Sequence, residues 1–113
     1  MLECKSNIDS LPFNKIIKCK LKWLLMQILE SISDPKMIVL FGSYARMEQT
    51  ISSDLDIFVL TTASVPRNTR GYLMALFEEN NADIVFAEES IFSQSDCYLY
   101  REIRKDGVLL WKK

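Results

Sequence analysis

Two aspartates separated by a single residue, Asp54 and Asp56, are the side chains best placed to do chemistry. They stand at the mouth of an apolar run that continues to Thr61. In an extended strand, side chains two positions apart point to the same face, so these carboxylates can reach a shared cation. Without a cation, two such anions repel each other and are costly to desolvate. A third acid, Asp83, opens another apolar run and could complete the cluster.

A glycine-serine pair, Gly42-Ser43, follows the apolar run of residues 37–41 and precedes Asp54 by ten intervening residues. Glycine lets the backbone approach a phosphate closely, and serine offers a hydroxyl and a backbone N–H. A helix beginning at Tyr44 would add free amides that face an anion. Arg46 is the nearest cation and could meet a phosphate oxygen or one of the acids. The pattern predicts a nucleotide-binding turn at Gly42 and Ser43, with Arg46 as a further candidate.

Three carboxylates suit two magnesium ions in the arrangement used for in-line attack on phosphorus. We therefore predict that Asp54, Asp56 and Asp83 are both metal ligands and catalytic residues, and that Asp83 could also accept the proton of the attacking hydroxyl. Each piece alone has a plainer interpretation. Gly42-Ser43 could be an ordinary turn, Asp83 could end a helix, and Arg46 could pair with Glu48 on the surface. The joint spacing and the strand context favour the catalytic interpretation.

Composition narrows the chemistry further. The chain contains no histidine, which excludes Ser-His-Asp, Cys-His and histidine-metal sites. Its three cysteines are widely spaced and form no CxxC pair, so neither a disulfide scaffold nor a zinc site is expected. A metal would be a hard ion held by carboxylates, Mg²⁺ or Mn²⁺. The net charge of -1 disfavours a protein whose main task is binding nucleic acid.

A length of 113 residues indicates one domain, over residues 11–113, preceded by a flexible segment at residues 1–10. Residues 1–5 lack a signal-peptide pattern and no apolar run could span a membrane, so we expect a cytoplasmic protein. Apolar spacing predicts helices at 12–32, 44–48, 70–80 and 90–105, and strands at 37–41, 55–61, 82–87 and 108–111. Strands interrupted by helices predict an α+β fold with α/β-type layers, a small mixed sheet flanked by helices.

Four segments together resemble the minimal nucleotidyltransferases of the DNA polymerase beta-like nucleotidyltransferase superfamily. They are FGSYAR (41–46), SDLDI (53–57), ADIV (82–85) and IRKDGVLLW (103–111). The resemblance runs from Met37 to the last residue. It implies a nucleotidyltransferase fold, Mg²⁺ as cofactor and ATP as co-substrate. It also implies that Gly42-Ser43 is the phosphate-binding turn, Asp54 and Asp56 the metal pair, and Asp83 the third acid.

Many members of this family are antitoxins paired with a helical toxin of the HEPN type, and they transfer AMP from ATP to a tyrosine of that toxin. The resemblance implies the same protein adenylyltransferase activity and the same kind of partner here. The chain departs from the family in the loop between the first two motifs. It has Met47 where members often have glycine, and Ile51-Ser52 where they often have proline.

Two other functions remain open from the sequence. The chain could be a non-catalytic antitoxin that neutralises its partner by occlusion. It could also transfer a nucleotide to RNA or a small molecule, although it lacks a basic surplus and a second domain. A domain of this size could also form a homo-oligomer.

Overall fold

The computed structural model of the protein describes residues 8–113. Most of the segment expected to be flexible, residues 1–7, lies outside the described residues. Ile8–Ser10 form a single 3₁₀ turn, and the side chain of Ile8 is fully buried. This turn packs its isoleucine into the main hydrophobic core.

Helices and strands alternate along the chain. The helices are α1 (Lys15–Ser31), α2 (Gly42–Ala45), α3 (Arg67–Glu79), α4 (Glu89–Gln94) and α5 (Tyr98–Asp106). The strands are β1 (Pro35–Phe41), β2 (Leu55–Thr61), β3 (Ala82–Glu88) and β4 (Val108–Lys112). Within residues 8–113, no helix is both long and apolar enough to cross a lipid bilayer.

The predicted strands are confirmed, and two predicted helices differ. The short helix expected at 44–48 ends at Ala45, and Met47 takes a left-handed conformation with φ of 59°. The helix expected at 90–105 is two helices, because Ser95 and Cys97 have extended backbone between them. The Arg104 guanidinium donates to the Ser95 carbonyl over 3.1 Å and holds this break in place.

The four strands form one mixed sheet in the order β3-β2-β1-β4. Strands β2 and β3 are parallel, because α3 carries the chain back across the sheet between them. Strand β1 is antiparallel to both β2 and β4. The predicted α+β fold with a small mixed sheet is confirmed.

Alternating strand residues serve two cores, one on each face of the sheet. On one face, Leu40 and Ile57 pack in the main core with buried residues of α1 and α3. On the other face, Phe41 and Phe58 pack in a smaller core that includes Ile103 of α5. Residues of even number in β2 therefore face α5, and this alternation places the acids considered next.

Candidate active site

Two of the predicted acids lie opposite each other on neighbouring strands. Asp56 is the second residue of β2 and Asp83 the second residue of β3, and the parallel register pairs them directly. Their strand neighbours Leu55 and Ala82 face the main core. Because side chains alternate along a strand, both carboxylates point to the opposite face, the one that α5 partly covers.

The backbone at Gly42 approaches the Asp56 carboxylate closely. Gly42 follows Phe41, which pairs with Asp56 in the antiparallel β1–β2 ladder. Its φ of 76° lies in the left-handed region, and a Cβ built there would overlap the carboxylate and lie 3.0 Å from Cγ of Asp56. Glycine is required twice over, for its conformation and for the missing side chain. Ser43, half-buried, follows at the first turn of α2.

Asp54 is exposed and immediately precedes β2. The loop before it closes on itself, because the Thr50 N–H donates to Ser53 Oγ over 2.8 Å and the Ser53 N–H donates to the Thr50 carbonyl over 3.1 Å. These local bonds direct the chain into β2. Asp54 therefore enters the strand two residues ahead of Asp56, at the same end of the sheet as Gly42.

The pKa of the half-buried Asp56 is raised to about 6, and burial is the largest cause. The negative charge of Asp83 is the next cause, with smaller contributions from Asp54 and from a hydrogen bond between the Asp56 and Asp83 carboxyls. Glu102 of α5 adds the smallest contribution. At neutral pH the negative charges at this end of the sheet therefore repel one another, and a bound cation would relieve that repulsion.

The chemistry of these side chains suits a hard divalent cation, since every donor is a carboxylate. Residues 8–113 nevertheless contain no set of three or more Asp, Glu, Cys or His side chains that already surrounds a metal position. Asp54 and Asp83 are exposed, whereas Asp56 is half-buried and its carboxyl is hydrogen-bonded to that of Asp83. The backbone thus places the three carboxylates near one another, but their side chains do not yet surround a metal position.

Arg46, the candidate nucleotide-binding cation, forms ion pairs with two acids. Its Nε lies 2.8 Å from Glu48 Oε1, and its guanidinium also contacts Glu102. The hydrogen bond with Glu48 is the main reason that the pKa of Arg46 is raised. These contacts tie the loop after α2 to α5.

Sequence reasoning missed Glu102, which lies close enough to Asp56 to influence its pKa and is half-buried. The residue has no motif of its own. Its place depends on how α5 packs across the sheet, which the helical pattern of α5 does not reveal.

The family model described as polymerase beta nucleotidyltransferase matches residues 24–113. No curated protein sequence matches the chain significantly. Several solved structures are similar to it. A toxin–antitoxin crystal structure with AMP-PNP has a TM-score of 0.63 and 24% identity, over 81% of this chain and 73% of the other.

A second similar structure is that of a tri-AMPylated Shewanella oneidensis HEPN toxin in complex with an MNT antitoxin. The TM-score is 0.61 with 20% identity, covering 85% of this chain and 72% of the other. A crystal structure of the toxin–antitoxin pair MntA-HepT gives a TM-score of 0.60 and 18% identity, over 85% and 73% of the two chains. At these identities the similarity establishes the nucleotidyltransferase fold. The family model covers most of the chain, including all three aspartates and the glycine-serine turn, and the chain belongs to the polymerase beta nucleotidyltransferase family.

Proposed function

We propose that the protein is a magnesium-dependent nucleotidyltransferase that moves AMP from ATP to a tyrosine hydroxyl of a HEPN-type toxin and so acts as the antitoxin of the pair. One observation carries the proposal above the others. Asp56 and Asp83 face each other across the β2–β3 ladder, directly beside the backbone of Gly42.

The residues have separate roles in this reaction. Asp54, Asp56 and Asp83 would hold Mg²⁺ or Mn²⁺, which when bound supplies charge neutralisation of the triphosphate and a lower pKa for the acceptor hydroxyl. The turn at Gly42 and Ser43 would bind phosphate oxygens through its backbone and hydroxyl. Asp83 is exposed, so it can take the proton of the acceptor hydroxyl.

The bonds exchanged in the reaction are simple. The acceptor oxygen forms a bond to the α-phosphorus of ATP as the bond between that phosphorus and the pyrophosphate oxygen breaks. Pyrophosphate leaves, and the hydroxyl proton passes to Asp83. The transfer needs no oxidant or further co-reactant.

The choice of a protein acceptor is supported by the similar structures. The similar structures described above are toxin–antitoxin complexes, one of which contains an AMPylated HEPN toxin.

The experiment is a transfer assay with a purified HEPN-type partner, ATP and Mg²⁺, followed by intact mass spectrometry of the partner. We expect the wild type to add AMP, Asp56→Asn to lose the activity, and the exposed-acid control Asp96→Asn to keep it. Full transfer by Asp56→Asn/Asp83→Asn would refute the proposed site. If that double variant adds no AMP yet neutralises the toxin in a growth assay as well as the wild type, neutralisation is by occlusion and the catalytic proposal for the antitoxin fails.

A further inference from the structure

The outer face of α1 carries a row of apolar side chains that stay exposed among residues 8–113. Ile16 is 79% exposed, Trp23 41% and Met26 54%, and Cys19 between them is also exposed. Their spacing of three, four and three residues keeps them on one side of the helix. We call Ile16, Cys19, Trp23 and Met26 the α1 outer stripe.

The stripe is distinct from the face that builds the core. At 100° per residue, Leu21, Leu25 and Ile28 lie on the opposite side of the helix, where they are buried. The helix therefore carries apolar residues on both sides. A helix that needed only to cover the sheet would have a polar outer side.

The dimensions of the stripe suit another helix. It is one residue wide and extends about 15 Å from Ile16 to Met26, given a rise of about 1.5 Å per residue. This is the seam that an amphipathic helix covers with its own residues at positions i, i+3 and i+7. Exposed Trp and Met side chains are enriched where proteins bind one another.

The charge of α1 indicates the charge that a partner helix should carry. Helix α1 carries four lysines and one glutamate, a net charge of +3, so the rest of a chain of net charge -1 carries -4. Lys15 lies on one side of the stripe and Lys20 on the other, while Lys22 pairs with Asp9 over 2.5 Å. A second copy would bring the same lysines against each other, which is unfavourable. A helix with acidic residues beside its apolar seam would be complementary.

A groove lies between the start of α1 and the loop before the candidate active site. Ile17, which follows Ile16 in the sequence, lines a groove of about 350 Å³ together with Phe13, Tyr44 and Ile51 and with the polar residues Asn14, Gln49 and Thr50. Ile51 is fully exposed and stands three residues before Asp54. This partly apolar groove connects the start of α1 to the loop that precedes the first acid.

We propose that the α1 outer stripe and this groove are the docking surface for a helix of the acceptor protein, an amphipathic helix with an apolar seam flanked by acidic residues. The inference rests on the proposed function for its biological role, but the surface itself can be tested without catalysis. Docking at α1 would place the acceptor against the loop that precedes Asp54.

The test uses two synthetic helical peptides of about 20 residues with the same leucine seam, one flanked by glutamates and one by lysines. Trp23 emission reports binding, since the other tryptophan, Trp111, is only 4% exposed. We expect the glutamate peptide to shift Trp23 emission to shorter wavelength and to bind at least about tenfold more tightly than the lysine peptide, weakening with salt.

Variants locate the contact. Ile16→Asp and Met26→Asp change highly exposed residues, and each should weaken peptide binding by roughly tenfold without altering the circular dichroism spectrum. Met74→Asp on α3, where Met74 is also 54% exposed, is the matched control and should bind normally. Equal binding of both peptides, no binding, or equal losses in all three variants would overturn the proposal.

Other occupants give different outcomes. If the protein forms concentration-dependent dimers and Met26→Asp abolishes them, a second copy covers the stripe. If the protein binds anionic vesicles and the glutamate peptide does not displace them, the stripe binds a membrane. Either result overturns the inference. Asp56→Asn distinguishes the proposed function from the docking surface, because this variant should lose magnesium–nucleotide binding but keep peptide docking. Ile16→Asp should show the reverse.

Discussion

Asp56, at the centre of the candidate site, should make the metal-free protein less stable at neutral pH than at acidic pH. Burial of Asp56, together with the negative charge of the neighbouring Asp83, raises the pKa of Asp56 to about 6 from the ordinary 3.8. A carboxyl whose pKa is higher in the folded state stabilises the fold while it is protonated. That stabilisation is complete below pH 3.8 and is lost as the pH rises through about 6.

The size of the effect follows from the shift in pKa. Two pKa units correspond to at most about 3 kcal/mol, and solvent screening at a half-buried group reduces this to about 1–2 kcal/mol. Replacing Asp56 by asparagine removes the charge with little change of shape. We therefore expect Asp56→Asn to be about 1–2 kcal/mol more stable than the wild type at pH 7.5, with the difference falling to about a third of that at pH 4.5.

The assay is urea unfolding at both pH values in the presence of EDTA, followed by circular dichroism. Asp96→Asn, at a side chain 84% exposed, is the control and should differ from the wild type by less than about 0.5 kcal/mol at both pH values. With Mg²⁺ and a nucleotide present, the stability advantage of Asp56→Asn over the wild type should fall, because the wild type binds them and the variant does not. A variant that is less stable at pH 7.5, or a difference that does not depend on pH, would refute the electrostatic reasoning.

Three further predictions concern the backbone around the site and α1. Gly42→Ala should destabilise the fold by about 2–3 kcal/mol in urea unfolding, because the new methyl group meets the Asp56 carboxylate at a left-handed φ; a neutral result would contradict the close approach. Met47→Gly should stabilise by about 0.5–1 kcal/mol, because φ of 59° is unfavourable for methionine; a loss of thermal stability would show that the Met47 side chain matters more than its backbone. Asn14→Ala should cost about 1 kcal/mol and reduce helical circular dichroism, because Asn14 Oδ1 accepts the Ile17 N–H over 2.9 Å at the start of α1, while Asn14→Ser should retain most of that stability.

The strands could be predicted because each is a short and mostly apolar run. Residues 55–61 and the later run at 82–87 needed only their composition and flanking turns. The break between α4 and α5 could not be predicted in the same way, since Ile91 and Leu99 maintain helical spacing across it. There the extended backbone at Ser95, held by Arg104, overrides the periodicity.

The candidate site was predictable in part. The sequence predicts that Asp54 and Asp56 share one end of β2, because Asp54 directly precedes the strand and Asp56 is its second residue. The partnership of Asp56 with Asp83 depends on β3 lying next to β2, a matter of strand order that local patterns do not contain. The ion pairs of Arg46 depend likewise on α5, which brings Glu102 across the sheet from far along the chain.

Calorimetric titration of the protein with Mg²⁺ and a non-hydrolysable ATP analogue tests most directly whether the aspartates bind a metal–nucleotide complex. Saturable binding is expected for the wild type, lost on adding EDTA and weakened at least about tenfold in Asp56→Asn/Asp83→Asn. Equal affinity of the double variant, or binding that is indifferent to the metal, would contradict the assignment of these carboxylates.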